Sequence, residues 1–140
     1  VVGEARQAAP AHLARMLNLA SRATGRAAVM SAGETTVRVV GTGRGGRNQE
    51  FVLAAASLLP EFGRPAVFAS VGTDGVDGPT DAAGAIADTT TVERLEHRNL
   101  SVARALNDND SYTLFTALGD LIRTGPTYTN VGDLQVLLVE

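Results

Sequence analysis

The sequence predicts an α/β fold in which a mixed β-sheet is flanked by helices, and three observations lead there. Residues 66–71 and 134–139 are short apolar runs of strand length, whereas residues 11–23 and 51–59 carry apolar side chains at steps of three and four, the spacing of one helical face. Polar loops rich in glycine, a residue present 15 times, separate the two kinds of segment. Alternation of helix-like and strand-like segments within 140 residues fits one domain with a sheet and covering helices.

Taken in order, Leu13, Met16, Leu17, Ala20 and Ala23 share one helical face, with Pro10 in the first turn and Gly25 as the stop. Residues 27–30 and 35–40 read as two short paired strands around a polar turn at Ser31, Ala32, Gly33 and Glu34. Asn48 is the expected N-cap of a helix that runs to Leu59 and stops at Pro60. The unbroken run at 66–71 predicts a strand buried on both faces. Thr80 or Asp81 is expected to cap a short helix through Ile86, and Thr90 with Glu93 resembles a capping box. Ser101 and Asn109 would start two further helices, ending near Asn107 and Gly119. Residues 124–130 form turns, and 134–139 make the last strand.

The net charge of −3 and pI of about 5.3 offer no electrostatic footprint for nucleic acid or anionic lipid. All 12 basic residues are arginine, so the chain contains no phosphate-loop lysine and no Schiff-base lysine. Without cysteine there is no disulfide framework or thiolate metal site, and no apolar run reaches the ~20 residues needed to span a bilayer. A cytoplasmic location is expected. The chain starts at Val1 without a methionine, which processing or a longer parent would explain.

Residues 41–50, Gly-Thr-Gly-Arg-Gly-Gly-Arg-Asn-Gln-Glu, carry most of the chemistry. They join a strand-like run to a helix-like one, so glycines, helix N–H groups and the Arg44 and Arg47 guanidinium forks converge as in an anion site. Gly43, Gly45, Gly46 and Asn48 would bind phosphate or carboxylate with them. The opposing reading is that both arginines make surface salt bridges, with Arg47 contributing only about 0–1 kcal/mol to stability. Gly41, Gly43 and Gly46 also satisfy G-x-G-x-x-G, but the acidic residue expected some 20 residues on would be Glu61, in the helix-to-strand loop. In the second loop, residues 72–81, Asp74, Asp77 and Asp81 could bind Mg²⁺, orient a hydroxyl or only shape turns, in a pattern short of a calcium loop. Both loops are expected at one edge of the sheet, beyond the carboxyl ends of their strands. His12 and His97 lie on expected helices without a partner pattern.

Five blocks in order resemble the MOFRL domain, the C-terminal domain of class II glycerate 2-kinases, many of which are labelled hydroxypyruvate reductases. They are residues 31–37, 41–50, 72–85, 109–112 and 124–134. Ala32 and Tyr128 stand where the family usually has glycine. The resemblance implies a connecting helix over residues 1–25 and a MOFRL-like domain over 26–140. It also implies an active site shared with an N-terminal Rossmann-like domain that this chain lacks, so the isolated chain is expected to be inactive. The implied reaction transfers the ATP γ-phosphoryl to the 2-hydroxyl of D-glycerate with Mg²⁺ present. Arg47 would neutralise the phosphoryl or hold the glycerate carboxylate, with Arg44 second. Asp74 or Asp81 would orient the hydroxyl or bind Mg²⁺, and Glu34, Thr73 and Asn130 would complete the polar cluster. An NAD(P)H-dependent hydroxypyruvate reductase, a non-catalytic assembly module and a homodimer stay open as alternatives.

Overall fold

A computed structural model describes all 140 residues. The chain runs through β1 (Val2–Glu4), α1 (Ala5–Ala20), β2 (Ala27–Thr36), α2 (Arg47–Ala55), α3 (Leu58–Glu61), β3 (Ala66–Gly72) and β4 (Gly84–Asp88). It continues through α4 (Thr91–Glu96), α5 (Val102–Asp108), α6 (Ser111–Leu118), β5 (Leu121–Ile122) and β6 (Asp133–Val139). The expected mixed sheet with helices is present, in the order β1-β2-β6-β3-β4-β5. Only β1 and β2 run parallel; β6 lies antiparallel between β2 and β3.

Two-residue alternation in the central strands decides which face receives the helices. Val29, Leu137, Phe68 and Ala87 lie on the inner face, where α1 and α2 bury them beneath Leu13, Met16, Phe51 and Val52. The opposite face carries Met30, Val136, Leu138, Val67 and Ile86 and has no helix on it; Met30 is 70% exposed. β3 is therefore buried on one face, not two as its unbroken apolar run suggests, because apolar composition hides which residues alternate outward.

Several element expectations are corrected. α1 begins at Ala5, so Pro10 lies inside the helix rather than in its first turn, and Ala5 and Ala9 extend its buried face. The two short strands are one, β2: residues 31–33 of the supposed turn continue in register with β6, residues 34–36 pair with β1, and the chain leaves the sheet only after Thr36. The helix expected to reach Leu59 breaks into α2 and α3, with Pro60 inside the second. The helix expected through Ile86 is strand β4, which pairs with β3. Asp110, one residue past Asn109, is the N-cap of α6, while Asn109 takes the left-handed C-cap position of α5. Ser101 caps α5 as expected, its hydroxyl accepting from Arg104 N–H, and β1 and β5 have no counterpart in the sequence reading.

Candidate functional site

The glycines of residues 41–46 answer first to packing. A Cβ on Gly41 would overlap Asp108, one on Gly43 would overlap Asp110, one on Gly45 would meet Ser111 Oγ, and one on Gly46 would strike Asp77. The loop is strapped to the turn between α5 and α6: Gly41 N–H donates to Asn109 Oδ1 (3.0 Å), Thr42 N–H to Asp108 Oδ1 (2.8 Å) and Arg44 N–H to Asp110 Oδ1 (3.0 Å). Gly43 N–H donates to the Asp108 carbonyl at 2.8 Å. These bonds spend the N–H groups of residues 41–44 inside the chain and leave them closed to a phosphate.

The N-terminus of α2 already holds an anion, the carboxylate of Asp77. Gly46, not Asn48, is the N-cap residue, and the N–H groups of Asn48 and Gln49 donate to Asp77 at 3.0 and 2.9 Å. Both side-chain amides donate to it as well. Asp77 is 1% exposed, and burial raises its pKa against the pull of these hydrogen bonds. A ligand approaching this helix end would compete with an intramolecular carboxylate that matches the dipole.

Arg47 is placed differently from the exposed loop arginine expected. Its Nε and Nη2 donate to the two oxygens of Asp133 at 2.8 and 2.9 Å, a bidentate pair with a carboxylate that is 1% exposed. This pair raises the Arg47 pKa further. Asp133 opens β6 between Gly33 of β2 and Gly72 of β3, its register partners; Gly33 leaves space for the Val1 backbone, and a Cβ on Gly72 would crowd Asp74 and Val76. Asn48 Nδ2 donates to the same carboxylate at 3.1 Å. The remaining guanidinium nitrogen, Nη1, faces Glu34 at 3.2 Å, and the Glu34 side chain is 65% exposed. One arginine nitrogen therefore points to an acid that solvent can reach.

Other candidates fall into two groups. Arg44 lies over the Tyr112 ring, 4.7 Å from its centroid, and Tyr112 Oη donates to Asp81 at 2.8 Å. Arg123 Nε donates to the other Asp81 oxygen at 2.9 Å, and these bonds, Tyr112 first, lower the Asp81 pKa. In the second group, Asp74 Oδ1 accepts from Val76 N–H (3.1 Å), Thr73 Oγ1 donates to the Gly132 carbonyl (2.7 Å), and Asn130 Oδ1 accepts from Gly132 N–H (3.1 Å). Thr127 Oγ1 donates to the Thr73 carbonyl, so these residues tie the 124–132 loop onto the 72–76 turn. Tyr128 sits there fully exposed at φ +60°, a left-handed conformation that glycine adopts more readily than tyrosine.

The Arg123 guanidinium on one Asp81 oxygen is a positive charge that opposes Mg²⁺ there, although each oxygen keeps a free acceptor site. Asp74 offers one carboxylate, and nowhere do three or more His, Cys, Asp or Glu side chains gather around a possible metal position. The residues that sequence reading missed are Asp133 and the buried partners around it. Asp133 directly precedes the last apolar run and follows Gly132, a strand-entry position at which a carboxylate needs a local partner, but nothing in the sequence names Arg47 as that partner. Glu50, read as a helix-start residue, is 2% exposed and binds Arg6 at 2.8 Å and Asn109 at 3.0 Å.

The MOFRL family model matches residues 27–133. D-glycerate 2-kinase of Thermotoga maritima is 48% identical over 113 residues, which are 81% of this chain and 27% of that protein. Glycerate kinase of Danio rerio is 43% identical over 120 residues, 82% of this chain and 24% of the relative. The crystal structure of Thermotoga maritima glycerate kinase superposes with a TM-score of 0.90 at 40% identity, covering all of this chain and 34% of that one. The chain thus spans about a quarter to a third of the length of the relatives it matches.

Proposed function

Since this chain belongs to the MOFRL family and its relatives are glycerate kinases, we propose that it supplies one wall of an interdomain site that phosphorylates the 2-hydroxyl of D-glycerate. In that reaction the bond from the γ-phosphorus to ADP breaks, a bond to the glycerate oxygen forms, and the hydroxyl proton leaves. The work asked of the protein is positioning and charge neutralisation.

One observation carries the reading: Arg47 is locked by a buried carboxylate on two nitrogens and meets an exposed acid with the third. The lock fixes the direction of the guanidinium. Glu34 acts as a placeholder, since an exposed ion pair is worth only about 0–1 kcal/mol and an incoming carboxylate or phosphoryl oxygen can displace it. Arg47 Nη1 then bonds the glycerate carboxylate or the transferred phosphoryl. Asp74, with one oxygen unused, is the better placed of the two loop aspartates to orient the hydroxyl. ATP supplies the phosphoryl group when bound, and no step is assigned to Mg²⁺ on the residues present here. This chain has no lysine, so a lysine cradling nucleotide phosphates would have to lie outside it.

Titration of the longer polypeptide with ATP, NADH and D-glycerate, read as shifts in melting temperature, tests the reading. Stabilisation by ATP and glycerate is expected; stabilisation by NADH without ATP would favour the reductase instead.

A further inference from the structure

Three polar residues form a row across the inner face of the sheet, where apolar side chains would pack more simply. Ser31, Gln135 and Ser70 are register neighbours on β2, β6 and β3, and the row lies two residues from the Gly33, Asp133 and Gly72 row, whose Asp133 binds Arg47. Ser70 and Gln135 are 0% and 1% exposed. Buried polar groups are costly unless fully paired, and these are paired into a single line.

The direction of that line follows from the two carboxylates at its end. Asp77 and Asp133 can only accept, so Asn48 must turn Nδ2 toward them, at 3.3 and 3.1 Å, and leave Oδ1 as an acceptor. Ser70 Oγ therefore donates to Asn48 Oδ1 at 2.6 Å and accepts from Gln135 Nε2 at 3.4 Å. Gln135 Oε1 then accepts from Ser31 Oγ at 3.1 Å. With its proton spent, Ser31 must accept from His12 Nε2 at 2.7 Å, which leaves His12 Nδ1 bare beside Arg15 Nη2 at 3.4 Å. Every donor points toward the site, and chains aligned in this way polarise one another.

We propose that Ser31, Gln135 and Ser70 are positioning residues: through Asn48 they hold the Asp133 carboxylate, and hence the Arg47 guanidinium, in one orientation, with His12 fixed as the Nε2–H tautomer at the far end. The proposal rests on Arg47 being the working group of the proposed site, but it concerns only how that group is aimed. A buried serine and glutamine in place of an alanine and leucine are then retained for aim.

Nuclear magnetic resonance of the isotope-labelled chain tests this through the His12 ring nitrogens, the Asn48 side-chain NH₂ and the Arg47 Nε–H. In the wild type, His12 is expected as the Nε2–H tautomer and Arg47 Nε–H as a protected proton. Ser70→Ala and Gln135→Met should each shift the Asn48 NH₂ signals, speed exchange of Arg47 Nε–H roughly tenfold and let His12 populate both tautomers. Leu95→Val, a core change on α4 away from the row, should lower stability without moving these signals. If either variant does not fold, Ser31→Ala at the partly exposed end of the row serves in its place. Unchanged Arg47 exchange in the relay variants, an equal change in Leu95→Val, or a His12 Nδ1–H tautomer in the wild type would overturn the proposal. These signals need neither ATP nor glycerate, so failure of the kinase reading would show separately, as absence of 2-phosphoglycerate formation.

Discussion

At the scale of single residues, Arg47 and its two acids organise the candidate site. Removing the guanidinium strands the buried Asp133 with Asn48 as its remaining side-chain donor, so Arg47→Ala should cost about 1–3 kcal/mol of stability, measured by urea unfolding. That exceeds the near-zero cost expected for an exposed loop arginine. Arg47→Lys should recover part of it, because one ammonium cannot fill both Asp133 oxygens. Glu34→Gln should tighten binding of D-glycerate to the longer enzyme severalfold, the scale of losing a competing surface pair; unchanged or weaker binding by calorimetry would remove Glu34 as a placeholder. His12 gives a pH prediction with a definite sign. Burial first, with Arg15 adding to it, holds its pKa below the ordinary 6.5. The folded state therefore prefers the neutral ring more than the unfolded chain does, and its stabilisation is complete above pH 6.5 and lost as pH falls from there through the lowered value. Unfolding midpoints of the wild type should decline faster below pH 6.5 than those of His12→Asn; parallel profiles would contradict this. Of the candidate site, Arg47 and the two glycine loops were legible from residue type and spacing, and Glu34 only through the family resemblance. Asp133 and Asp77 were not, because their partners lie 86 and 28 to 29 positions away in the chain.

At the scale of elements, the loop of residues 41–46 is a packed part, with the N–H groups of residues 41–44 bonded within the chain. Gly46→Ala places a methyl group against Asp77 and should destabilise the fold by about 1–3 kcal/mol through overpacking, while loosening the carboxylate from the α2 N-terminus. Loss of protection at the Asn48 and Gln49 amides in hydrogen exchange would report that directly, and wild-type protection with full stability would refute it. The same loop explains where the elements were and were not readable. β3, β6 and the helical character of α1, α2 and α5 follow from apolar period and caps that need no distant partner. β2 was split because Ser31, Gly33 and Glu34 look like a turn locally, although pairing with β6 and, from Glu34, with β1 keeps them extended. β4 was read as a helix because Thr80 and Asp81 look like caps, whereas Thr80 serves Asp77 and Gln49 and Asp81 serves Tyr112 and Arg123. Strand pairing overrode local turn chemistry in both cases.

At the scale of the whole molecule, the sheet carries helices on one face and gathers its glycine loops at one edge, where the 72–76 turn, Asp133 and the start of α2 meet. No helix is long and apolar enough to cross a membrane. The chain covers about a third of a solved glycerate kinase, and we propose that turnover of ATP and glycerate requires a protein of the relatives' full length. The most direct measurement is the steady-state rate of ATP-dependent 2-phosphoglycerate formation by that longer enzyme, wild type against Arg47→Ala. A fall in kcat/KM of roughly 10²-fold, with only partial recovery in Arg47→Lys, is expected for a charge contact that strengthens in the transition state. Wild-type kinetics in a folded Arg47→Ala enzyme would contradict the account, showing that the Arg47–Asp133 pair only braces the fold.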